Sequence, residues 1–327
     1  MTSLTQVGAV FAKIEDTPGV ENVPTTTGSP NDFIQALNAQ YAPEFNIIDR
    51  NFLRPSLSQV PHLMGRQLAT LTFTTEVFGT GTAATDTDTT AQSAATPKWA
   101  DLFEGCAMAG TAVSTPAGKI YNPITASQKT MTLYCYYDGK LHKLIGAMGT
   151  FQLSATAGEI ATIQWTFTGV YVAPTAAATP TPGFTNVTPP LVESCSLVVG
   201  STLASVFVSE SIGIDIGNTV TPRADANSAK GFNSMIITGR AASFTFTPEA
   251  VPEASHPFWA DFASAAIKSV SFNIGTTAGN QMQVNMPNMQ ISGLTYADRN
   301  GIRVYDVTGR PSATETAGND ELTLKFV

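Results

Sequence analysis

Two stretches of this chain carry the pattern Pro-x-Trp-Ala-Asp followed by Leu or Phe, at residues 97–102 and 257–262. Each follows an alternating run that ends in Glu, Leu71-Thr-Phe-Thr-Thr-Glu76 in one case and Phe244-Thr-Phe-Thr-Pro-Glu249 in the other. A Gly-Arg pair stands upstream of each run, Gly65-Arg66 and Gly239-Arg240. Downstream, Gln152-Leu-Ser154 matches Gln290-Ile-Ser292, and Phe167-Thr-Gly169 matches Val307-Thr-Gly309. A shared order of short landmarks marks a duplicated module, which directs attention to self-assembly and pseudo-symmetry before catalysis.

The stretch from Glu76 to Trp99 is longer than that from Glu249 to Trp259. The excess falls in residues 79–95, a Thr/Ala/Gly-rich segment containing Thr85-Asp-Thr-Asp-Thr-Thr90. A polar insertion between two regular elements is a loop, because added loop length costs little entropy.

The rest of the chain divides around that repeat. Residues 1–45 read as an extended N-terminal arm, with the turn-forming Glu15-Asp-Thr-Pro-Gly-Val20 and the linker-like Pro24-Thr-Thr-Thr-Gly-Ser-Pro30. Residues 46–173 form a first β domain, residues 174–190 a Pro/Thr/Ala-rich linker, and residues 191–327 a second β domain. The expected fold class is mainly β, built of sandwich- or barrel-forming sheets with one short helix per module.

Strands of the first half carry an apolar and a Thr/Gln face. In residues 131–137 Met, Leu and Cys alternate with Thr and Tyr, and Asp138-Gly139 supplies a hairpin turn. Ile163, Trp165 and Phe167 share a face opposite Gln164, Thr166 and Thr168. Two runs near residues 196–199 and 206–208 open the second half as strands. In each half a helix begins at the repeated proline. Thr96 is the expected cap of the first, and Ser255 or His256 of the second.

Only 13% of residues are charged, against 43% apolar. Disorder is excluded by that apolar content, and a Thr-rich, weakly charged surface suits faces covered by neighbours. The net charge of −8, with no basic cluster, excludes tight electrostatic binding of phosphate. Cys106, Cys135 and Cys195 lack metal or disulfide spacing and read as free thiols. No apolar run approaches the roughly 18–20 residues that span a bilayer, and the N-terminal residues do not read as a signal peptide.

The sequence carries no catalytic, cofactor or metal-site signature. His62, His142 and His256 occur in unrelated settings, and no cysteine or serine carries a nucleophile signature. Asp86 and Asp88 lack the further oxygen ligands a calcium ion needs. Trp99 with Asp101, and Trp259 with Asp261, are read as helix anchors. The indole seats the helix on its sheet, and the carboxylate favours the helix N-terminus.

The turn-rich Ala12-Lys-Ile-Glu-Asp-Thr-Pro-Gly19, the strand ending at Glu76, the run Pro97-Lys-Trp-Ala-Asp-Leu-Phe103, the hairpin around Tyr136-Tyr-Asp-Gly-Lys140 and Thr166-Phe-Thr-Gly-Val-Tyr171 follow one another in order. In this the first half resembles the tail tube (major tail) proteins of long, non-contractile-tailed bacteriophages. The second half resembles them through the repeat, without the Tyr-Tyr-Asp-Gly-Lys turn.

The resemblance implies tandem tail-tube-like modules that join edge to edge into rings. It also implies stacked rings enclosing a channel for genomic DNA. Two modules per chain imply trimeric, pseudo-hexameric rings. With four strands per module, about 24 strands roughly 4.8 Å apart and tilted about 40° close a barrel about 48 Å across at the backbone, leaving roughly 35–40 Å inside its side chains, wide enough for a DNA duplex. Candidate lumen residues are Thr132, Gln152, Ser154, Gln164, Thr166 and Thr168; solvent or a ring neighbour would suit the same face. The arm and the 79–95 insertion are the expected contacts between rings.

Implied partners are other copies of the chain, the terminator, tape-measure and distal tail proteins, and double-stranded DNA in transient, non-specific passage, with no membrane. The implied location is the virion tail after synthesis in the host cytoplasm. The alternatives are a single-ring tail protein (terminator or distal tail) or a β-sandwich adhesin.

Overall fold

The computed structural model describes residues 8–27, 32–83, 96–114, 117–200, 208–228 and 230–327. The first half contains β1 (Gly8–Ile14), β2 (Phe33–Ile34), β3 (Ala36–Ile48), β4 (Leu63–Glu76), a 3-10 helix (Lys98–Cys106), β5 (Met108–Ser114), β6 (Ala117–Pro123), β7 (Met131–Tyr137), β8 (Lys140–Thr156) and β9 (Thr162–Ala176). The second half contains β10 (Val198–Val199), β11 (Ser209–Asp215), β12 (Asn218–Ala224), β13 (Phe232–Arg240), β14 (Ser243–Pro248), helix α1 (Phe258–Ala263), β15 (Lys268–Ile274), β16 (Met282–Arg299), β17 (Ile302–Pro311) and β18 (Thr323–Phe326). The fold is mainly β, and its pairings are antiparallel.

Eight strands run side by side in the order β3-β4-β9-β8-β11-β14-β17-β16. The first four and the last four have the same plan: a hairpin strand, the strand ending in Glu, then the two strands of a later hairpin in reversed order. Register agrees in detail. Leu71 of β4 faces Tyr41 and Phe167, and Phe244 of β14 faces Ile214 and Gly309. One residue of β3 bulges out between Leu37 and Gln40, and one of β11 between Ser209 and Ile212. The long strands β8 and β16 are each broken by a bulge, at Leu144/Ala147 and Met286/Met289. Beyond it β8 parts from β7 while keeping β9 alongside, and β16 passes from β15 to β17.

That register corrects two of the sequence matches. Phe167 occupies the place of Gly309, not Val307, and Gln152 the place of Thr295, not Gln290. Strand alternation repeats every two residues, so a match shifted by an even number preserves the apolar pattern and escapes sequence comparison. The extra residue of β16 between Ile291 and Gly293 adds a further step.

The halves share one core. The C-terminal strand β18 pairs with β6, and Phe326 packs against Trp99 and Phe103 at centroid distances of 5.4 and 6.4 Å. Phe103 in turn meets Phe151 and Trp165 at 4.9 and 5.0 Å. The 3-10 helix is thus wedged between the eight-stranded sheet and the back strands. Aromatic burial of this kind dominates core energetics.

The segment expected as an arm supplies core. Within residues 1–45, β1 pairs along β7, and its consecutive apolar residues Ala9, Val10, Phe11 and Ala12 are all buried, as in a strand covered on both faces. Behind it Glu15 is buried and fully satisfied. Its Oε1 accepts from Thr132 Oγ1 (2.8 Å) and the Gly146 amide (2.7 Å), and its Oε2 from Thr130 Oγ1 (2.6 Å) and the Gly19 amide (2.8 Å). The Asp138-Gly139 turn has positive φ at both residues (28° and 87°), the twist that a two-residue hairpin requires.

Pro97, not Thr96, stands at the N-cap position of the first helix, without a side-chain cap hydrogen bond. In the second half Glu253 accepts from the Trp259 and Ala260 amides, both at 3.1 Å, the role expected of Ser255 or His256.

Candidate functional site

Alternation along the eight-stranded sheet puts one row of side chains into the core and the next onto its outer face. Cross-strand partners share a face, so the outer rows can be read across the strands. One runs Thr74, Gln164, Gln152, Asp215, Ser243, and the next Thr162, Ser154, Gly213, Thr245, Thr308. Thr72, Thr166 and Thr150 form another. The face is almost wholly hydroxyl and amide. Gln152, Ser154, Gln164, Thr166 and Thr168 lie on it together.

Thr132 does not. Its strand, β7, belongs to the back sheet between β1 and β8, and both its faces are covered. The hydroxyl is fully buried, donating to Glu15 and accepting from the Asn22 amide at 3.1 Å.

Two sheet edges flank the polar face. β3 pairs with β4 on one side and has no strand partner on the other among the described residues. At the far end, β16 beyond Met289 pairs with β17 alone among the described residues. In the middle of the sheet the corresponding edges are closed against each other, with β11 residues 211–215 laddered onto β8 residues 152–156. Sequence reading missed both open edges, because an edge is a property of pairing and leaves no composition of its own. A clue survives in Tyr296, an aromatic at a core-facing position that is 55% exposed, where its counterpart Leu153 is 3% exposed.

Beyond the last β4–β9 pair, Leu68 with Val170, the β3–β4 hairpin continues alone through Phe45↔Gln67 and Ile48↔Leu63. Its end exposes Ile47, Ile48, Phe52, Leu53, Leu57, Leu63 and Met64, an apolar patch of the kind that marks an interaction surface. The counterpart hairpin, β12–β13, bends away as its own two-stranded sheet. Gly217 makes the bend at φ +58°, where a Cβ would stand 2.4 Å from the Ala241 carbonyl oxygen. Phe232, Met235 and Ile237 of β13 pack on Leu68 and Met148, and the Gln128 amide group bonds both backbone groups of Ile237. The 79–95 insertion is anchored at its start, where Gly79 N–H donates to Asn280 Oδ1 (2.7 Å) and Gly81 N–H to the Gly279 carbonyl (3.0 Å). Residues 84–95, with Asp86 and Asp88, lie outside the described residues.

The tryptophan and aspartate pairs sit under the sheet, away from the polar face. Trp99 is buried and its Nε1–H donates to the Phe78 carbonyl at 3.1 Å. Asp101 meets Lys98 at 2.8 Å and Lys119 at 3.7 Å. Burial disfavours the Lys98 ammonium, but Asp101 and Asp32 outweigh it and hold its pKa above the usual lysine value. Trp259 is half-buried against Tyr296 (5.4 Å) and Tyr305 (6.2 Å), and Asp261 lies 3.2 Å from Lys268 and 3.7 Å from His256. Burial pushes the Cys106 and Cys195 thiols up and that of Cys135 to about 11, away from nucleophilic thiolate. Among the described residues no group of three or more His, Cys, Asp or Glu is placed to hold a metal, and no helix is long and apolar enough to cross a membrane.

A two-faced sheet with a bland polar surface, two edges unpaired among the described residues and an apolar hairpin tip are features of a structural β protein. Residues 5–324 match the phage tail tube protein family, and the chain belongs to it. The family is one of structural proteins, which makes the chain a component of the virion tail. No curated protein matches the chain.

Proposed function

We propose that three copies close into a ring whose eight-stranded sheets form one continuous barrel, and that rings stack into the hollow tube through which double-stranded DNA passes during ejection. The observation that carries this reading is the strand order: two four-stranded units of the same plan are already joined edge to edge, and the same two kinds of edge stand open at the ends. Closure removes both edges, which exposed would invite uncontrolled pairing. Each chain acts as two units in a pseudo-sixfold ring.

The hydroxyl and amide face, with Gln152, Ser154, Gln164, Thr166 and Thr168, lines the lumen in this reading. It offers DNA hydrogen-bonding groups without a basic patch to hold the phosphates. The β3–β4 tip carries the contact between successive rings. Terminator, tape-measure and distal tail proteins are the further partners, and the chain is made in the host cytoplasm before it assembles. Trp99, Asp101, Trp259 and Asp261 serve as helix anchors.

Electron microscopy of the purified protein over a concentration series, with mass photometry of the soluble fraction, tests the proposal. Six-lobed trimeric rings and hollow stacks are the expected result. A chain that stays monomeric at every concentration overturns it.

A further inference from the structure

Resting on the ring reading, we propose the register of the seam between chains: the open edge of β3 pairs antiparallel with the open edge of β16 in a second copy, with Gln40 opposite Ala297, Tyr41 opposite Tyr296 and Ala42 opposite Thr295. The template is the junction inside the chain, where Gly213 faces Ser154, Ile214 faces Leu153 and Asp215 faces Gln152.

Each side of the template transfers through pairings already formed. Gly213, Ile214 and Asp215 face Thr245, Phe244 and Ser243 of β14, as Gln40, Tyr41 and Ala42 face Thr72, Leu71 and Thr70 of β4. The bulges of β3 and β11 both lie before this stretch, so the two strands stay in step along it. On the other side, Gln152, Leu153 and Ser154 of β8 face Gln164, Ile163 and Thr162. Thr295, Tyr296 and Ala297 of β16 face Asp306, Tyr305 and Val304. The strands β9 and β17 are tied to each other by Trp165 and Val307, which face Phe73 and Phe246 in the two Glu-ended strands.

Burial supports the same register independently. Leu153 and Ile214 are buried because they cover each other across the junction. Tyr296 stands at the corresponding core-facing position with its edge open and is 55% exposed, resting on Trp259 and Tyr305. Tyr41, half-buried beside His142, faces the core from β3 and is the residue that this register brings over it. Gln40, Ala42 and Thr295 are exposed and remain on the polar face. A slip of one residue would turn either tyrosine toward the lumen and set a polar group in its place, so the pleat forbids it. A slip of two leaves the alternation intact, and that is the alternative an experiment has to separate.

Three double-cysteine variants do so: Gln40→Cys with Ala297→Cys, and as offset pairs Gln40→Cys with Thr295→Cys and Gln40→Cys with Arg299→Cys. Assembled rings are oxidised and run on non-reducing gels beside the parent, whose own cysteines set the background. The direct pair is expected to give covalent dimers and trimers more than about fivefold faster than the offset pairs, because diagonal neighbours stand roughly 7–8 Å apart. Rings in which an offset pair links faster overturn the register and leave the ring reading standing. A parent chain that forms no rings removes both. A map of the parent tube reads the register without any substitution. Tyr296→Asp adds an orthogonal readout: the monomer still unfolds cooperatively, its midpoint lowered by the lost packing on Trp259 and Tyr305, while ring formation is lost. Rings that form as readily as the parent's would overturn the seam.

Discussion

Gln152 donates its side-chain Nε2–H to Asp215 Oδ2 at 2.8 Å across the line where the two halves meet. Asp215 Oδ1 also accepts the Gly217 amide at 2.7 Å, just before β12 bends away. The pair sits on the polar face in contact with solvent, whereas Ile214 and Leu153 beside it are buried. The junction therefore draws its strength from the apolar row. Ile214→Ala is expected to lower stability by about 2–5 kcal/mol, while Asp215→Ala costs roughly 0.5–1.5 kcal/mol for the lost hydrogen bonds. Urea unfolding of the dilute chain measures both, and equal losses would refute the division.

The two tryptophans occupy corresponding helices but unequal surroundings. Trp99 is enclosed by Phe78, Phe103 and Phe326, while Trp259 is half-buried beside Tyr296. Trp99→Ala should cost about 3–5 kcal/mol and Trp259→Ala roughly 1–2 kcal/mol in the isolated chain. Asp101→Asn disturbs partly exposed ion pairs and is expected to cost less than about 1 kcal/mol. Denaturant midpoints of the three variants give the order, and a larger loss at Asp101 than at Trp99 would contradict an anchoring role for the indole.

His256 is buried beneath Phe258, with Asp261, Lys268 and Glu253 as its charged neighbours. Burial lowers its pKa more than Asp261 and Glu253 raise it, and Lys268 lowers it further. A histidine whose folded pKa lies below its unfolded value of about 6.5 binds fewer protons folded than unfolded. Its contribution is complete above that value and is lost as pH falls from there through the lower folded pKa. Stability should therefore drop on acidification from about pH 7 to pH 5, and His256→Gln should flatten the slope. His142, lowered by burial and by Lys140, supplies a second share, so the double variant should be flatter still. Thermal melts across this range decide it, and an unchanged slope in both variants would exclude the histidines as its source.

How far the fold could be read from the sequence depended on the range of the interaction. The Asp138-Gly139 turn and the alternating strand around Trp165 were legible because their signals are local and periodic. The repeated Glu-ended strand and helix start were legible as motifs. The role of residues 8–14 was not, since what buries Phe11 is β7, more than a hundred residues away. Thr132 failed for a related reason: on a strand covered on both faces, alternation no longer separates inside from outside. The open edges of β3 and β16 were invisible, because an unpaired edge exists only once every other pairing is known.

The tip of the β3–β4 hairpin tests how rings stack. Its counterpart β12–β13 folds onto the first half, where Leu68, Met148 and Val170 provide an apolar seat. The corresponding places in the second half hold Ala241, Gln290 and Ser312, small or polar residues that offer no such seat. Within the proposed ring the tip would thus lack a matching surface, and because it extends past the end of the sheet it would project beyond the rim of the proposed barrel. Leu53 and Leu57 at the tip are fully exposed and contribute nothing to the fold of the single chain. Replacing both with Ser should leave the unfolding midpoint within about 0.5 kcal/mol of the parent, as for other exposed positions. Rings should persist while tubes shorten or disappear, because burying each leucine against the next ring is worth about 1.5–3 kcal/mol per contact and the contact recurs around the ring. Electron micrographs of ring and tube populations at matched concentration provide the readout. Tubes of parental length would move the stacking contact elsewhere, and loss of the rings themselves would place the tip within the ring.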